Sequence, residues 1–314
     1  MSRLRVGLLS NPTAAHGAGH RTGRQVANLL RLAGLSVVDV SGPSAAVARA
    51  RAEEVIDTLT ALVVVGGDGT ISLGASLVAH TPVRLGVVAA GSGNDLARSL
   101  GLPVGAPEES VRLLLHALSR PATAIDAIEI RGHRNVPPHR SIALGNVSLG
   151  FDALVNERAN SARSGVGAKY SVALLRELPS FSPLPYWVEV DGQERYEVDA
   201  TLLTVANTGV FGGGLRFVPG AVVDDGLLDL ATVAGARRRD LLAMLPRLRR
   251  GTHVSHPAFS VRRVREVTVG LRHGRDVRAY ADGEPRALLP VTMRVAPGAV
   301  RILADLDTIR EERA

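Results

Sequence analysis

Gly66-Gly67-Asp68-Gly69-Thr70 is the segment whose residue types and spacing most directly suggest chemistry. It follows the apolar run Leu62–Val65 and precedes Ile71–Ala79, a stretch with helical spacing. A strand, a glycine-rich turn and a helix N-terminus together present backbone N–H groups and a positive dipole end, which suits phosphate. The glycines let a phosphate approach without obstruction by Cβ. Asp68 is out of place in a passive phosphate site, because a carboxylate repels phosphate unless a divalent cation or proton donor stands between them. That combination points toward phosphoryl transfer. The competing reading is a tight turn in which Asp68 caps a helix.

Gly91-Ser92-Gly93-Asn94-Asp95 is a second loop of the same design, following the strand expected at Arg84–Ala89. It departs from the dinucleotide fingerprint, because Leu96 stands where Gly or Ala is needed. A Walker-type P-loop is excluded, since Lys169 is the only lysine in the sequence. Two such loops at the carboxyl ends of adjacent parallel strands define one cleft. The loop from Asn11-Pro12-Thr13 through Gly17 and Gly19 would open toward the same edge.

Three later segments carry weaker signals. Asp282-Gly283-Glu284 offers two carboxylates, but Asp-Gly between alternating runs is also a standard hairpin turn. Asp224-Asp225-Gly226 reads equally as a turn. His253 and His256 lack the i, i+4 spacing of a helical zinc site and read as surface histidines. Arg237–Arg250 places Leu241, Met244, Leu245 and Leu248 on one helical face with arginines at both ends. Such a helix suits an anionic membrane surface, or packs its leucines on a sheet and leaves its arginines solvated.

The elements that must position these residues fall into two sets. Leu4–Leu9, Ser36–Val40, Leu62–Val65 and Arg84–Ala89 read as strands. They alternate with helical patterns at Arg21–Ala33, Ala45–Leu59, Asp95–Leu100 and Glu108–Leu118, the signature of a doubly wound parallel sheet. Beyond Ala122–Ile130 strands dominate: Ser141–Ser148, Tyr186–Val190, Val198–Val205, Leu227–Val233, Val264–Leu271, Val277–Ala281 and Val291–Val295. Helices are expected at Asp152–Ala162, Lys169–Leu178 and Arg239–Arg250. The fold expected is α/β, with an N-terminal nucleotide-binding domain over residues 1–124. An antiparallel β-sandwich-type domain with added helices would follow over 125–304, and residues 305–314 form a tail that could pack back on the first domain.

The sequence of 314 residues is 46% hydrophobic and 21% charged, a globular composition large enough for two cores. It has no cysteine, which removes disulfides, zinc–thiolate sites, iron–sulfur clusters and cysteine nucleophiles. The net charge is +7, from 37 Lys and Arg against 30 Asp and Glu, and could mark an acidic partner. Aromatics make up only 3%, so a base-stacking platform has little to be built from and no nucleic-acid partner is expected. No apolar run approaches the ~20 residues that span a bilayer. Met1–Leu9 is too short, and too soon followed by Pro12, to read as a secretory leader. A cytoplasmic protein is expected.

Gly66–Thr70 with Gly91–Asp95 resembles the diacylglycerol kinase type of lipid kinase family, which also includes the sphingosine and ceramide kinases. The resemblance continues in Asn11-Pro12, Ala97–Gly101, Asn146–Asp152, Asn207 with Phe211–Gly214, Pro219, Asp224–Asp229 and Asp282–Glu284. It implies ATP in an interdomain cleft, contacted by Asn11, Gly66, Gly67, Asp68, Gly69, Thr70, Ile71, Ser72, Gly91, Ser92, Gly93, Asn94 and Asp95. Ser41 and Ser92 would supply hydroxyls. Ser92 stands where the family often has Thr, and Ser72 where it often has Asn; both keep a small polar side chain. The family's proton acceptor lies in Asp282–Glu284, with Glu284 the first choice as base and Asp282 its alternative or partner. A structural Mg²⁺ would be held by Asp225 and the backbone carbonyls of Val222 and Leu227. The implied activity is transfer of the γ-phosphate of ATP to a lipid alcohol such as diacylglycerol, on the inner face of an anionic membrane. A homodimer stays open. The alternatives are a soluble kinase of the NAD kinase type and a non-enzymatic nucleotide-binding regulator.

Overall fold

A computed structural model describes residues 4–11, 18–134, 140–150, 182–274, 276–304 and 306. The chain divides into two compact units, Met1–Ile125 with Gly298–Ala314, and Asp126–Pro297.

The first unit is built on strands β1 (Arg5–Ser10), β2 (Ser36–Asp39), β3 (Ala61–Gly66) and β4 (Arg84–Ala89), paired in parallel in the order β2-β1-β3-β4. Helices α1 (Ala18–Leu32), α2 (Ala45–Glu53), α3 (Asp68–Val78), α4 (Asp95–Ser99) and α5 (Pro107–Leu118) follow these strands in turn. All six residues of β3 are buried, and so are five of the six in β4, as a sheet covered on both faces requires. Val6, Leu8, Val63, Val65 and Val88 pack with Val26 and Leu30 of α1 and Val111 and Leu114 of α5. The helical run expected over Ala45–Leu59 is broken. The α-helix stops at Glu53, and a short 3-10 turn, Ile56–Thr58, follows Val55 at φ −121°, ψ −10°. Two consecutive β-branched residues, Val55 and Ile56, disfavour continuation of the helix, and the Thr58 hydroxyl closes the turn on the Val55 carbonyl at 2.6 Å.

The second unit is antiparallel. Its strands are β5 (Thr123–Gly132), β6 (Arg140–Ala143), β7 (Asn146–Ser148), β8 (Leu184–Val190) and β9 (Glu194–Ala206), then the short pair β10 (Val210–Phe211) and β11 (Leu215–Arg216). They are followed by β12 (Leu228–Ala234), helix α6 (Arg238–Leu248), β13 (Phe259–Val264), β14 (Glu266–Leu271), β15 (Arg278–Ala281), β16 (Glu284–Leu288) and β17 (Val291–Ile302). The long strand β9 is the pivot. Its first half pairs with β8, and its second half pairs with β7 and β12. An apolar core containing Ile128, Val147, Tyr186, Val205, Leu230, Val267 and Met293 fills this unit.

Three expected strands differ from what forms. Ser141–Ser148 is two strands, interrupted at Leu144-Gly145, whose amides turn toward Asp282. Val264–Leu271 is likewise cut at Arg265, because the Asp191 carboxylate accepts the N–H groups of both Arg265 and Glu266 at 2.9 Å. The strand expected at Val291–Val295 runs on to Ile302: its start pairs with β14 within the second unit, and Arg301 and Ile302, which belong to the first unit, pair with β4. The helices expected at Asp152–Ala162 and Lys169–Leu178, and the loop Thr13–Gly17, lie outside the described residues.

His253 is not a surface residue. It is buried against Phe217, with ring centroids 5.8 Å apart, and against Phe259 at 4.7 Å, and its Nε2 bonds the Phe217 carbonyl at 2.9 Å. Burial holds its pKa below the ordinary value, against the opposing pull of the Phe217 carbonyl. The unfolded chain therefore binds the extra proton first, so this contribution to stability is complete above pH ~6.5 and falls as the pH drops below that. One proton limits the slope to about 1.4 kcal/mol per pH unit. Thermal melts between pH 7.5 and 5.5 should show a smaller loss of stability for His253→Phe than for the parent chain. Parallel losses would remove His253 from the acid sensitivity.

Candidate functional site

The carboxyl ends of the parallel strands lie at one edge of the first unit, since Ser10 pairs with Val65, Leu8 with Asp39 and Gly66 with Ala89. The two expected glycine loops leave β3 and β4 there, and β1 leads to Asn11. The two glycine loops meet backbone to backbone: a Cβ on Gly91 would stand 2.3 Å from Gly67 Cα and 2.9 Å from its nitrogen. Glycine is required at this crossing by space alone. Asn94, at φ 57°, folds its side chain back on its own loop, accepting from Gly91 N–H at 2.9 Å and donating to Gly91 O at 2.7 Å. It is buried and shapes the loop.

Asp68 is the first residue of α3 rather than part of a free loop, and it is half-buried. Its Oδ1 accepts from the Leu96 amide at 3.3 Å, and a Cβ on Gly93 would come 2.8 Å from its Oδ2. The capping reading thus holds in altered form: Asp68 caps not its own helix but α4, which follows the other loop. Ser41 Oγ bonds both the amide and the hydroxyl of Ser10 at 2.9 Å, bringing in a residue that sequence reasoning passed over. Ser92 is exposed on its loop, and Asp95 and Asn11 are half-buried. Ile71 and Ser72 are buried within α3, and the amides of Thr70 and Ile71 close on the Gly67 carbonyl at 3.0 Å. These groups hold the turn in shape, which narrows the part of the segment that presents donors to its glycine half.

In the second unit, Asp282 and Gly283 have φ of 51° and 82°, and Ala281 pairs with Glu284. The hairpin-turn reading is therefore correct for the backbone. The side chains add what a plain turn lacks. Asp282 accepts from Leu144 N–H at 3.2 Å and from Gly145 N–H at 3.0 Å, whereas Glu284 is exposed.

The segment Val222–Leu227 is fixed by two carboxylates. Asp126 Oδ2 accepts from Gly226 N–H at 2.7 Å, and Asp225 Oδ1 from Leu227 N–H at 3.0 Å. Asp126 was legible only as one of two charges, with Glu129, inside the otherwise apolar run Ala124–Ile130. This donor set of carboxylates and carbonyls fits a hard cation such as Mg²⁺. Arg263 forms an ion pair with the same Asp225 carboxylate, so a cation bound there would have to displace that pair. Among the described residues, no group of three or more His, Asp or Glu side chains gathers to hold a metal. Asp229, in the same block, is buried, and desolvation pushes its carboxyl above the ordinary range.

Both halves of the chain match known families. Residues 5–127 match the diacylglycerol kinase catalytic domain, and residues 145–304 match the YegS C-terminal NAD kinase beta sandwich-like domain. A diacylglycerol kinase of Mycobacterium tuberculosis is 34% identical over 302 residues, covering 95% of this chain and 94% of that protein. The chain belongs to the diacylglycerol kinase family of lipid kinases. A probable lipid kinase YegS-like protein of Pseudomonas fluorescens is 29% identical over 248 residues, 77% of each chain. The crystal structure of a diacylglycerol kinase from Bacillus anthracis has a TM-score of 0.70 at 16% identity, covering 96% of this chain and 97% of that one. Yeast NADH kinase has a TM-score of 0.55 at 12% identity, covering 96% of this chain and 83% of that one, so the fold is shared with an NADH kinase. Kinase family membership makes nucleotide use part of the description of this chain.

Proposed function

We propose that the chain transfers the γ-phosphoryl group of ATP to the hydroxyl of diacylglycerol or a closely related lipid alcohol, giving phosphatidic acid or the matching lipid phosphate. The observation that carries this reading is the 34% identity to a diacylglycerol kinase sustained over 95% of the chain. In this reading the glycine loops around Gly67 and Gly91 take the phosphates of Mg·ATP, with Ser41 and Ser92 as hydroxyl partners. Glu284 accepts the proton of the lipid hydroxyl as it attacks the γ-phosphorus, and Asp282 fixes the turn that carries it. A strong base is not needed, because phosphoryl transfer passes through a loose transition state in which positioning and charge stabilisation dominate. Asp225 with the carbonyls of Val222 and Leu227 would hold a further Mg²⁺, which supplies positive charge to that segment.

A lipid substrate requires contact with a bilayer, and no helix among the described residues is long and apolar enough to cross one. The inner side of α6 is already used: Met244 is buried, and Leu241 and Leu248 pack with Phe217, Val233 and Phe259. What remains for an anionic surface is the arginine side, where Arg237, Arg238, Arg239, Arg247, Arg249 and Arg250 are exposed together with Leu242. Each such arginine is worth about 1 kcal/mol near an anionic leaflet. We place the protein in the cytoplasm, docked on the inner membrane face through this side.

Thin-layer separation of products from labelled ATP and a panel of lipid alcohols tests both statements. Diacylglycerol in anionic vesicles should be phosphorylated. Replacing Arg247, Arg249 and Arg250 with Gln should weaken vesicle binding more than tenfold at low salt, while activity on a detergent-dispersed short-chain lipid barely changes. Turnover of a soluble acceptor with none on any lipid would favour an NAD kinase type of activity. Unchanged vesicle binding at low salt would move docking elsewhere.

A further inference from the structure

We infer that Asn207 is the positioning residue of the Asp282–Glu284 turn, an inference that rests on the role proposed for that turn. On one side the turn is closed by its own hairpin, and the Asp282 N–H also donates to the Asn146 carbonyl at 3.3 Å. From the other side it is held by the peptide groups of Leu144 and Gly145, whose N–H groups both donate to the Asp282 carboxylate, at 3.2 and 3.0 Å. The approach is close enough that a Cβ on Gly145 would stand 2.6 Å from Asp282 Oδ1. The backbone of Asp282 is set by the strand pairing, and the direction in which these two amides point sets its carboxylate.

Asn207 fixes the direction of the Gly145 amide, which shares a peptide plane with the Leu144 carbonyl. Its Nδ2 donates to the Leu144 carbonyl at 2.9 Å, and its backbone N–H donates to the Gly145 carbonyl at 3.0 Å. The two residues whose amides hold Asp282 are thus held by their carbonyls from a single residue, directly after the end of β9. The second Nδ2 proton goes to the Asp126 carbonyl at 3.0 Å. Asp126 in turn donates its N–H to Val223 O at 2.6 Å and accepts from Gly226 N–H at 2.7 Å. One amide side chain therefore joins the Asp282 turn to the 222–227 segment. Two carbonyls facing the same terminal atom also settle which end of the amide is nitrogen.

Asn207 is 1% exposed, and its Oδ1 is buried without a hydrogen-bond partner. Burying an unpaired amide oxygen costs stability. An apolar side chain, like those that fill the neighbouring positions of β9, would avoid that cost and lose both donated bonds. The position keeps a donor at the expense of an unpaired acceptor, as expected where geometry matters more than stability.

The test is a double-variant cycle read in steady-state kinetics of the full-length chain. Asn207→Leu should lower kcat by about 10- to 100-fold, the scale of a sub-ångström misplacement of a reacting group. The KM for ATP should stay within twofold. Asn207→Ser, which keeps one hydroxyl donor, should recover part of the lost kcat at equal or lower thermal stability. In an Asp282→Asn background, Asn207→Leu should cost little further in kcat, because the two-amide link to the carboxylate through which it acts is already broken. Losses that multiply in the double variant, or a kcat that follows melting temperature across Leu and Ser alike, would reduce Asn207 to a packing role. If Asn207→Leu does not fold, the same cycle run with Asn207→Ser decides the matter. If Asp282→Asn and Glu284→Gln both keep the parent turnover, it is the proposed role of the turn that fails. That outcome is read from these two variants without any change at Asn207.

Discussion

Replacing Asp68 with alanine is expected to lower turnover by about 10²–10³-fold, the scale of losing one electrostatic contact with a transition state. The residue stands at the crossing of the two glycine loops, with one carboxylate oxygen on the Leu96 amide and the other 2.8 Å from where a Cβ on Gly93 would lie. A carboxylate placed among phosphate-type loops raises the cost of binding a phosphate chain unless it serves the metal or proton chemistry of transfer. The sequence alone suggests that Asp68→Ala leaves the fold untouched. The bond to Leu96 revises that: losing a cap of this kind costs about 0.5–2 kcal/mol, so a small fall in melting temperature should accompany the loss of activity. Asp68→Asn separates the two effects. It can still accept from the Leu96 amide through its side-chain oxygen but carries no charge, so stability should return while turnover stays low. Recovery of turnover in the asparagine variant would show that Asp68 acts only as a tie between loops.

The N-terminal unit was legible because its signals are local. Leu62–Val65 and Leu85–Ala90 are runs without a polar side chain that lead into Gly66 and Gly91, and such runs have one economical solution, a strand buried on both faces. The loops that follow were legible for the same reason: close backbone crossings need glycine, and glycine is visible in a sequence. What stayed hidden depends on groups far apart in the chain. Nothing near Arg265 announces that Asp191, 74 residues away, will take its amide and end a strand there. Nothing near Leu144-Gly145 announces Asp282, 137 residues from Gly145. His253 shows the same limit in another form. The spacing of His253 and His256 suits no helical zinc site, so both read as surface residues, and only the arrival of Phe217 and Phe259 around the ring makes His253 a core residue. For α6 the pattern gave the correct inner face, while the partner of that face was decided by the β12 and β13 residues beneath it.

The largest effect in the second unit is expected from the hairpin carboxylates, and the two should fail in different ways. Glu284 is exposed, so Glu284→Gln should leave the melting temperature and the affinity for ATP unchanged while turnover falls by about 10²–10⁴-fold, the usual contribution of a placed acid or base. Asp282→Asn disturbs more. The carboxylate accepts two backbone N–H groups at once, and an amide offers only one oxygen and turns an NH₂ toward the other donor. Leaving one buried donor unpaired costs about 1–3 kcal/mol, so this variant should lose both stability and turnover. ATP affinity should be preserved in each, since the nucleotide loops belong to the other unit. The pattern distinguishes a proton acceptor from its support: activity lost without stability at Glu284, and both lost at Asp282. If Glu284→Gln instead retains full turnover and only Asp282→Asn is impaired, the Asp282 carboxylate is itself the acceptor and the exposed glutamate is a surface residue. If both variants lose thermal stability and nothing else, the segment is a hairpin turn, and the proton must leave the lipid hydroxyl through another group.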